Sequence, residues 1–550
     1  MIAPPHNRNH RIAVVGAGPG GLAAGILLAA RGVEVTIYEK QPIVGGRTGQ
    51  VRVGDYRFDL GPTFYLMPYV LQEIFQIAGK DLYQELEMTR LDPMYRLVVG
   101  QEGGASGGTD VTLDATQDIE EMGRRVAAIH PRDGERFRAF IDHNRKKLDA
   151  AEPILRRPIR SLLDLARPDA MRAAPLIQPL RSVHDLNSKF FEHPAVRLAV
   201  GFQSKYLGMS PKDAPSLFTI LPYIEYEYGV WHPKGGCHAI MTKMADIFTE
   251  LGGKIETGVE VHGAEMTGRR VSGLHVSRES GDRETVACDH AVFNADASWA
   301  IKNIFPESVR GKMTDASLDA KKYSCSTYML YMGIEGRIDL PHHTIRTARA
   351  YEQNLDDIGR AGGAGGTLSD DPSYYLCNAS VSDPTLAPEG HSSLYILVPT
   401  PNTKAPIDWQ AEAPKMRERI LDKIHADLGL ELRGRIRAER QITPDDWAGM
   451  NINHGATFNL AHSLDQMLHK RIPHRAPFCD GAWFVGGATH PGSGLPVIFL
   501  SAQITAKMLL EELGVTPPPP VVVTASAQRS IQDAGRSRPT PQAKLQGTAP

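Results

Sequence analysis

Short alternating and helical hydrophobic patterns organise the first forty residues. Arg11-Ile12-Ala13-Val14-Val15 is a β-branched run that predicts a buried strand. Gly16-Ala17-Gly18-Pro19-Gly20-Gly21 interrupts it, and an apolar stretch over about residues 20–31 reads as a helix. Val33-Glu34-Val35-Thr36-Ile37-Tyr38-Glu39 then alternates as a second strand that ends on a carboxylate. The interval from Ile12 to Ala30 carries no charge and could pass for a membrane span or signal segment. Its five glycines and one proline would weaken a spanning helix, so it reads as strand, turn and helix of a globular sheet.

Similar patterns recur further along. Residues 254–257 and 271–276 predict strands around a turn at Gly268, and residues 289–295 a further buried strand. Residues 115–180 and 410–430 carry Ala, Leu, Arg and Glu at helical spacing. Trp483-Phe484-Val485 again leads into a glycine-rich turn, followed by a helix over about residues 497–513. Residues 1–10 are polar and read as an arm, and 103–109 and 360–367 as flexible loops. Residues 516–550 open on a run of prolines and read as a disordered tail. The expected architecture is α/β: a dinucleotide-binding domain in three pieces (11–80, 231–300 and 475–515), interrupted by a mixed domain in two (81–230 and 301–474).

The glycines and the carboxylate carry the first chemistry. Gly16 permits a tight exit from the strand, Gly18 lets backbone approach a pyrophosphate, and Gly21 lets the helix pack closely on its strand. Glu39 stands where an acidic side chain reaches a ribose diol. Alone, these residues do not separate NAD from FAD. Gly45-Gly46-Arg47 adds a sharp turn and an arginine able to grip an anion, where a plain NAD domain would start its next helix. The closing turn, with Gly486, Gly487, Gly494, Pro496 and Val497, offers a second helix N-terminus to the same ligand. That arrangement suits a long ligand such as FAD.

Bulk properties narrow the picture. The chain has 550 residues, too many for one simple core, with 42% hydrophobic and 23% charged residues, ordinary for a soluble globular protein. A net charge of -2 makes no electrostatic case for nucleic acid or for an acidic membrane surface. Cys237, Cys288, Cys325, Cys377 and Cys479 are odd in number and widely spaced, which predicts free thiols in a reducing compartment. His342 and His343 are adjacent and so are not expected to share one face, and no other ligand spacing appears, so no metal is expected.

Glu39, Gly45-Gly46-Arg47, then Phe58-Asp59-Leu60-Gly61-Pro62-Thr63 and the closing run from Gly486 to Pro496 resemble the bacterial phytoene desaturase family. The resemblance spans about residues 11–514. It implies a Rossmann-type FAD-binding domain of the flavin amine oxidase-like fold with an interleaved mixed α+β substrate domain. It also implies an FAD-dependent desaturation of an acyclic isoprenoid, with a hydride passing to the flavin and a proton leaving the neighbouring carbon. Residues 202–211, 323–327 and 340–345 resemble the C30 branch, which acts on dehydrosqualene (4,4'-diapophytoene). A C40 phytoene desaturase or a terminal carotenoid oxidase is the alternative within the family. An amine oxidase would want an aromatic cage near the flavin, where this chain offers Leu495, Pro496 and Val497. A non-catalytic prenyl-binding escort protein could lose the phosphate glycines and Arg47, which are all present.

A hydrocarbon substrate must be held by apolar burial. Residues 64–70 and 217–224 are candidates for a tunnel wall or membrane-facing mouth, or for ordinary core. His490 is the titratable residue of the closing turn and the candidate proton acceptor, with a structural histidine as the alternative; Asp59 reads as a turn or cofactor-shell residue. The family resemblance implies peripheral attachment to the cytoplasmic face of the cell membrane. It leaves open the electron acceptor, quinone or oxygen.

Overall fold

The computed structural model describes residues 7–100, 110–359, 365–519 and 521. Its first unit is a five-stranded, all-parallel sheet in the order Ala482–Phe484, His290–Phe293, Asn7–Val15, Val33–Glu39, Lys254–Thr257. The central position of Asn7–Val15 explains its composition. Ile12 and Val14 join the core on one face, and Ala13 and Val15 join a second core on the other. A strand covered on both faces reads as a continuous apolar run. The helices Pro19–Ala29, His238–Glu250 and Leu495–Glu512 cover the first face.

Residues 7–10 correct the expected arm: they extend the first strand and lie inside the sheet domain. Residues 1–6, loop 103–109, residues 360–364 of the second loop and the tail from 522 lie outside the described residues. The uncharged interval 12–30 forms the end of the first strand, the glycine turn and a buried helix.

The second unit is built on a seven-stranded sheet in the order Ile436–Ile442, Ser326–Ile334, Ser392–Thr400, Tyr374–Asn378, His343–Arg346, Tyr95–Val99, Val111–Ala115. All its pairs are antiparallel except His343–Arg346 with Tyr95–Val99. The helix Trp409–Leu428 packs an apolar stripe (Met416, Ile420, Ile424) on one face of it. A helical layer containing Ile119–Ile129, Pro131–Leu155 and Ile220–Tyr228 lies beside it and shares the large core with the parallel sheet, while Pro168–Ile177 packs in a small cluster of its own.

Candidate active site

A cavity of about 690 Å³ runs from the glycine turn of the parallel sheet to the helical layer. That size is typical of cofactor and small-molecule sites. Its walls draw on both units.

At one end the walls are backbone. Gly16 turns the chain at φ 97° while its N–H donates to the Tyr38 carbonyl at 2.8 Å. A Cβ on Gly21 would lie 2.1 Å from the Gly16 carbonyl oxygen, so only glycine lets the helix start this close to the strand. Gly18 and Pro19 line the cavity; Gly21 stands behind them. The helix Pro19–Ala29 has Gly18 at its N-cap and no capping side chain, so its first N–H groups face the cavity. Glu39 lines the same end. Its Oε2 accepts the Ala17 N–H at 2.7 Å and its Oε1 the Gln41 N–H at 2.9 Å, while burial raises its pKa. A carboxylate can accept about four hydrogen bonds, so acceptor capacity is left for a ribose diol.

Gly45 does not line the cavity. At φ 116° it donates its N–H to the Ala17 carbonyl at 2.9 Å and so holds Gly46 and Arg47 against the first turn. Arg47 lines the cavity and donates from Nη1 to the Thr457 carbonyl at 2.7 Å. Burial lowers its pKa, and the nearby Asp296 acts against that shift. Gly486, Gly487, Gly494, Pro496 and Val497 all line the cavity. The helix Leu495–Glu512 begins there, with Gly494 at its N-cap at φ 119° and again no capping side chain. Two open helix N-termini, a free-faced carboxylate and an arginine along one cavity fit the donor set of FAD: amides for the pyrophosphate, Glu39 for the ribose, the second terminus for the flavin end.

Two contributors escaped the sequence reading. Asn294 ends the strand His290–Phe293 and donates from Nδ2 to the Gly16 carbonyl at 3.2 Å, so it props the turn from below. Val259, Glu260 and Val261 line the cavity just after the strand that pairs with Glu39. Both lie far from the glycines in sequence, and nothing local marks them.

Beyond the flavin end the walls become apolar side chains. Phe64, Leu66, Leu217, Phe218, Leu221 and Ile224 line the cavity, so both apolar segments contribute to it, whereas Tyr65 and Val70 turn into the core. The segments that carried the C30 resemblance also reach it through Phe202, Lys205, Tyr206, Cys325, Thr327 and Ile345. Burial lowers the Lys205 ammonium to about 8. Behind Tyr206 sits the buried Glu225, which accepts from Tyr206 Oη at 2.8 Å, Gln203 Nε2 at 3.1 Å and Tyr95 Oη at 3.1 Å. Burial raises its carboxyl to about 7, against these hydrogen bonds.

The structure places His490 outside the cavity lining. It is buried, its Nε2–H donates to the Ile154 carbonyl at 3.0 Å, and burial lowers its pKa to about 4. A neutral imidazole bonded to backbone fixes the closing turn to the helical layer and does not line the cavity. Asp59 is likewise internal. It accepts the N–H groups of Cys237 and His238 at 3.0 and 3.1 Å at the start of the helix His238–Glu250. All five cysteines are buried and free. The expected separation of His342 and His343 fails on geometry. The chain bends at His342, before the strand that starts at His343, and the two ring centroids come within 4.3 Å.

Outside the cavity, residues 160–181 carry the exposed side chains Leu162, Leu163, Met171 and Leu180, interspersed with exposed Arg160, Arg167, Arg172 and Arg181. Their inner side packs through Ile154, Ile159, Ala170 and Leu468. The neighbours Leu155 and Met467 line the cavity, so the patch lies beside part of its wall.

The fold and this two-ended cavity define a flavoenzyme. The family described as flavin containing amine oxidoreductase matches residues 19–510, and the chain belongs to it, with FAD as its cofactor. Within that family its relatives are carotenoid desaturases. The chain is 39% identical over 508 residues to the 4,4'-diapophytoene desaturase (4,4'-diapolycopene-forming) of Methylomonas sp, covering 92% of this chain and 96% of that protein. It is 35% identical over 529 residues to the all-trans-zeta-carotene desaturase of Myxococcus xanthus, covering 92% and 94%. Among solved structures, an oxidoreductase from Methanosarcina mazei shares the fold at a TM-score of 0.59, with 15% identity over 91% of this chain and 100% of that one.

Proposed function

We propose that this carotenoid desaturase acts on the C30 substrate 4,4'-diapophytoene while attached to the cytoplasmic face of the cell membrane. The observation that carries the substrate is the 39% identity with the diapophytoene desaturase of Methylomonas, against 35% with the all-trans-zeta-carotene desaturase of Myxococcus xanthus. An unactivated polyene has no polar handle, and the apolar walls of the cavity bind it by burial and exclude water. FAD, when bound, supplies the hydride acceptor. The chain's part is orientation: Phe64, Tyr206 and Phe218 position a rodlike hydrocarbon against the end where Gly486, Gly487 and Pro496 receive the cofactor.

The membrane reading is supported by the patch of residues 160–181. Exposed leucines beside arginines suit an interface where apolar side chains enter the acyl region and guanidinium groups meet phosphate. No helix among the described residues is long and apolar enough to cross a membrane. A patch beside the cavity wall would pass a lipid-dissolved substrate inward without exposing it to water.

Co-expression with a C30 or a C40 synthase in a colourless host, read by pigment spectra, tests the substrate. Coloured C30 carotenoid is expected, and pigment only with the C40 synthase would overturn the proposal. Replacing Leu162, Leu163, Met171 and Leu180 by serine should abolish sedimentation with liposomes while leaving bound flavin unchanged. Unaltered sedimentation would remove the patch from the mechanism of attachment.

A further inference from the structure

One buried cluster is used by none of the chemistry above. His342 and His343 are 3% and 2% exposed, Cys377 1% and His232 1%. A ring nitrogen of His342, a ring nitrogen of His343 and the Cys377 Sγ all lie within 4.8 Å of one another. Cross-strand pairing brings this about, because His343 and Cys377 are direct partners in the seven-stranded sheet. His232 enters from the short strand Trp231–Pro233, with its ring centroid 4.6 Å from that of His342.

The hydrogen bonding of the three imidazoles follows one rule. His232 Nε2 lies 3.4 Å from Asp383 Oδ2, His342 Nδ1 3.0 Å from Ser382 Oγ, and His343 Nδ1 2.6 Å from Tyr375 Oη. In each ring the other nitrogen, His232 Nδ1, His342 Nε2 or His343 Nε2, is buried with no hydrogen-bond partner among the described residues. Buried orphans of this kind are costly unless something occupies them. An imidazole that donates one N–H to a carboxylate or hydroxyl keeps its other nitrogen as a lone-pair donor, which is how metal-bound histidines are oriented.

We propose that His342, His343 and Cys377 form a structural site for a thiophilic divalent cation of the zinc type, with His232 packed beside them. Two imidazoles and one thiolate supply three corners of a tetrahedral set, the fourth falling to His232 on a ring rotation or to a solvent molecule, and binding expels the thiol proton to solvent. The metal ties the bend at His342 to the paired strands His343–Arg346 and Tyr374–Asn378 in the middle of the seven-stranded sheet. Tyr375 also contacts Thr63 at 2.6 Å, and both line the cavity, so the clamp stiffens the wall behind the substrate without touching it.

Cobalt alone is the probe. Flavin-loaded protein, stripped with a chelator and dialysed against Co²⁺, is expected to bind one cobalt per chain. Its spectrum should show a near-ultraviolet thiolate-to-cobalt band and the visible bands of tetrahedral cobalt, and added Zn²⁺ should bleach both. Cys377→Ser should remove the thiolate band, and His342→Ala should reduce uptake about tenfold or more. The melting temperature should rise with metal in the wild type and not in a double variant. If the variants fail to fold, the wild-type spectrum decides. Flavin-loaded wild type that takes up no cobalt, or holds it without a thiolate band, overturns the site.

Discussion

The two ends of the cavity are built by different means. At the flavin end, backbone amides, two open helix N-termini and glycines that admit no Cβ do the work, and most of these groups lie within a few residues of one another. At the hydrocarbon end, side chains from the helical layer and the seven-stranded sheet meet from positions scattered through the chain. A pyrophosphate needs donors at fixed spacing, which a turn before a helix supplies locally. A polyene needs only area and shape, which many residues can supply from anywhere.

The sharpest way to break the flavin end is Gly21→Ala. The new methyl would sit 2.1 Å from the Gly16 carbonyl, against backbone that cannot rotate away. We expect a loss of about 3 kcal/mol or more and protein purified without flavin. A yellow, normally melting variant would show that the helix can retreat without cost.

At the other end the large effect is a pH dependence. The Glu225 carboxyl is raised from 4.5 to about 7 by burial, so the folded state binds its proton more tightly than the unfolded chain. The contribution of this carboxyl to stability is therefore fully present below about pH 4.5 and is lost as pH rises through 7, by about 3 kcal/mol if the full shift is expressed. Glu225→Gln, which cannot ionise, should flatten that part of the melting curve against pH. An unchanged slope would place the titration elsewhere.

Glu39→Ala comes next, and it sharpens the comparison. Removing the carboxylate strands the N–H groups of Ala17 and Gln41 as well as the ribose, so both stability and FAD affinity should fall. About 2 kcal/mol of binding, on the order of thirtyfold in Kd, is expected from losing a charged acceptor. Unchanged FAD affinity by titration would refute the ribose assignment. The smallest effect on chemistry belongs to His490→Gln. It should cost about 1 kcal/mol through the lost bond to Ile154 and leave pigment formed per bound flavin unaltered. A collapse of turnover with flavin intact would restore His490 as a proton acceptor.

The sequence by itself determined the glycine-turn end of the cavity. Gly16, Gly18, Gly21, Glu39 and the turn that carries Gly486, Gly487 and Gly494 were legible because a strand, a tight turn and a helix N-terminus are local structures with local residue demands. It also marked two apolar segments that reach the cavity, though not which side chains face inward. The tertiary structure alone decided the rest. Asn294 under the glycine turn, Glu225 behind Tyr206 and the pairing of His343 with Cys377 depend on strand register between distant segments, which no short pattern encodes. It also decided that His490, within a cavity-lining motif, faces away from the cavity. Position along a chain fixes which atoms are near; only packing fixes which way they point.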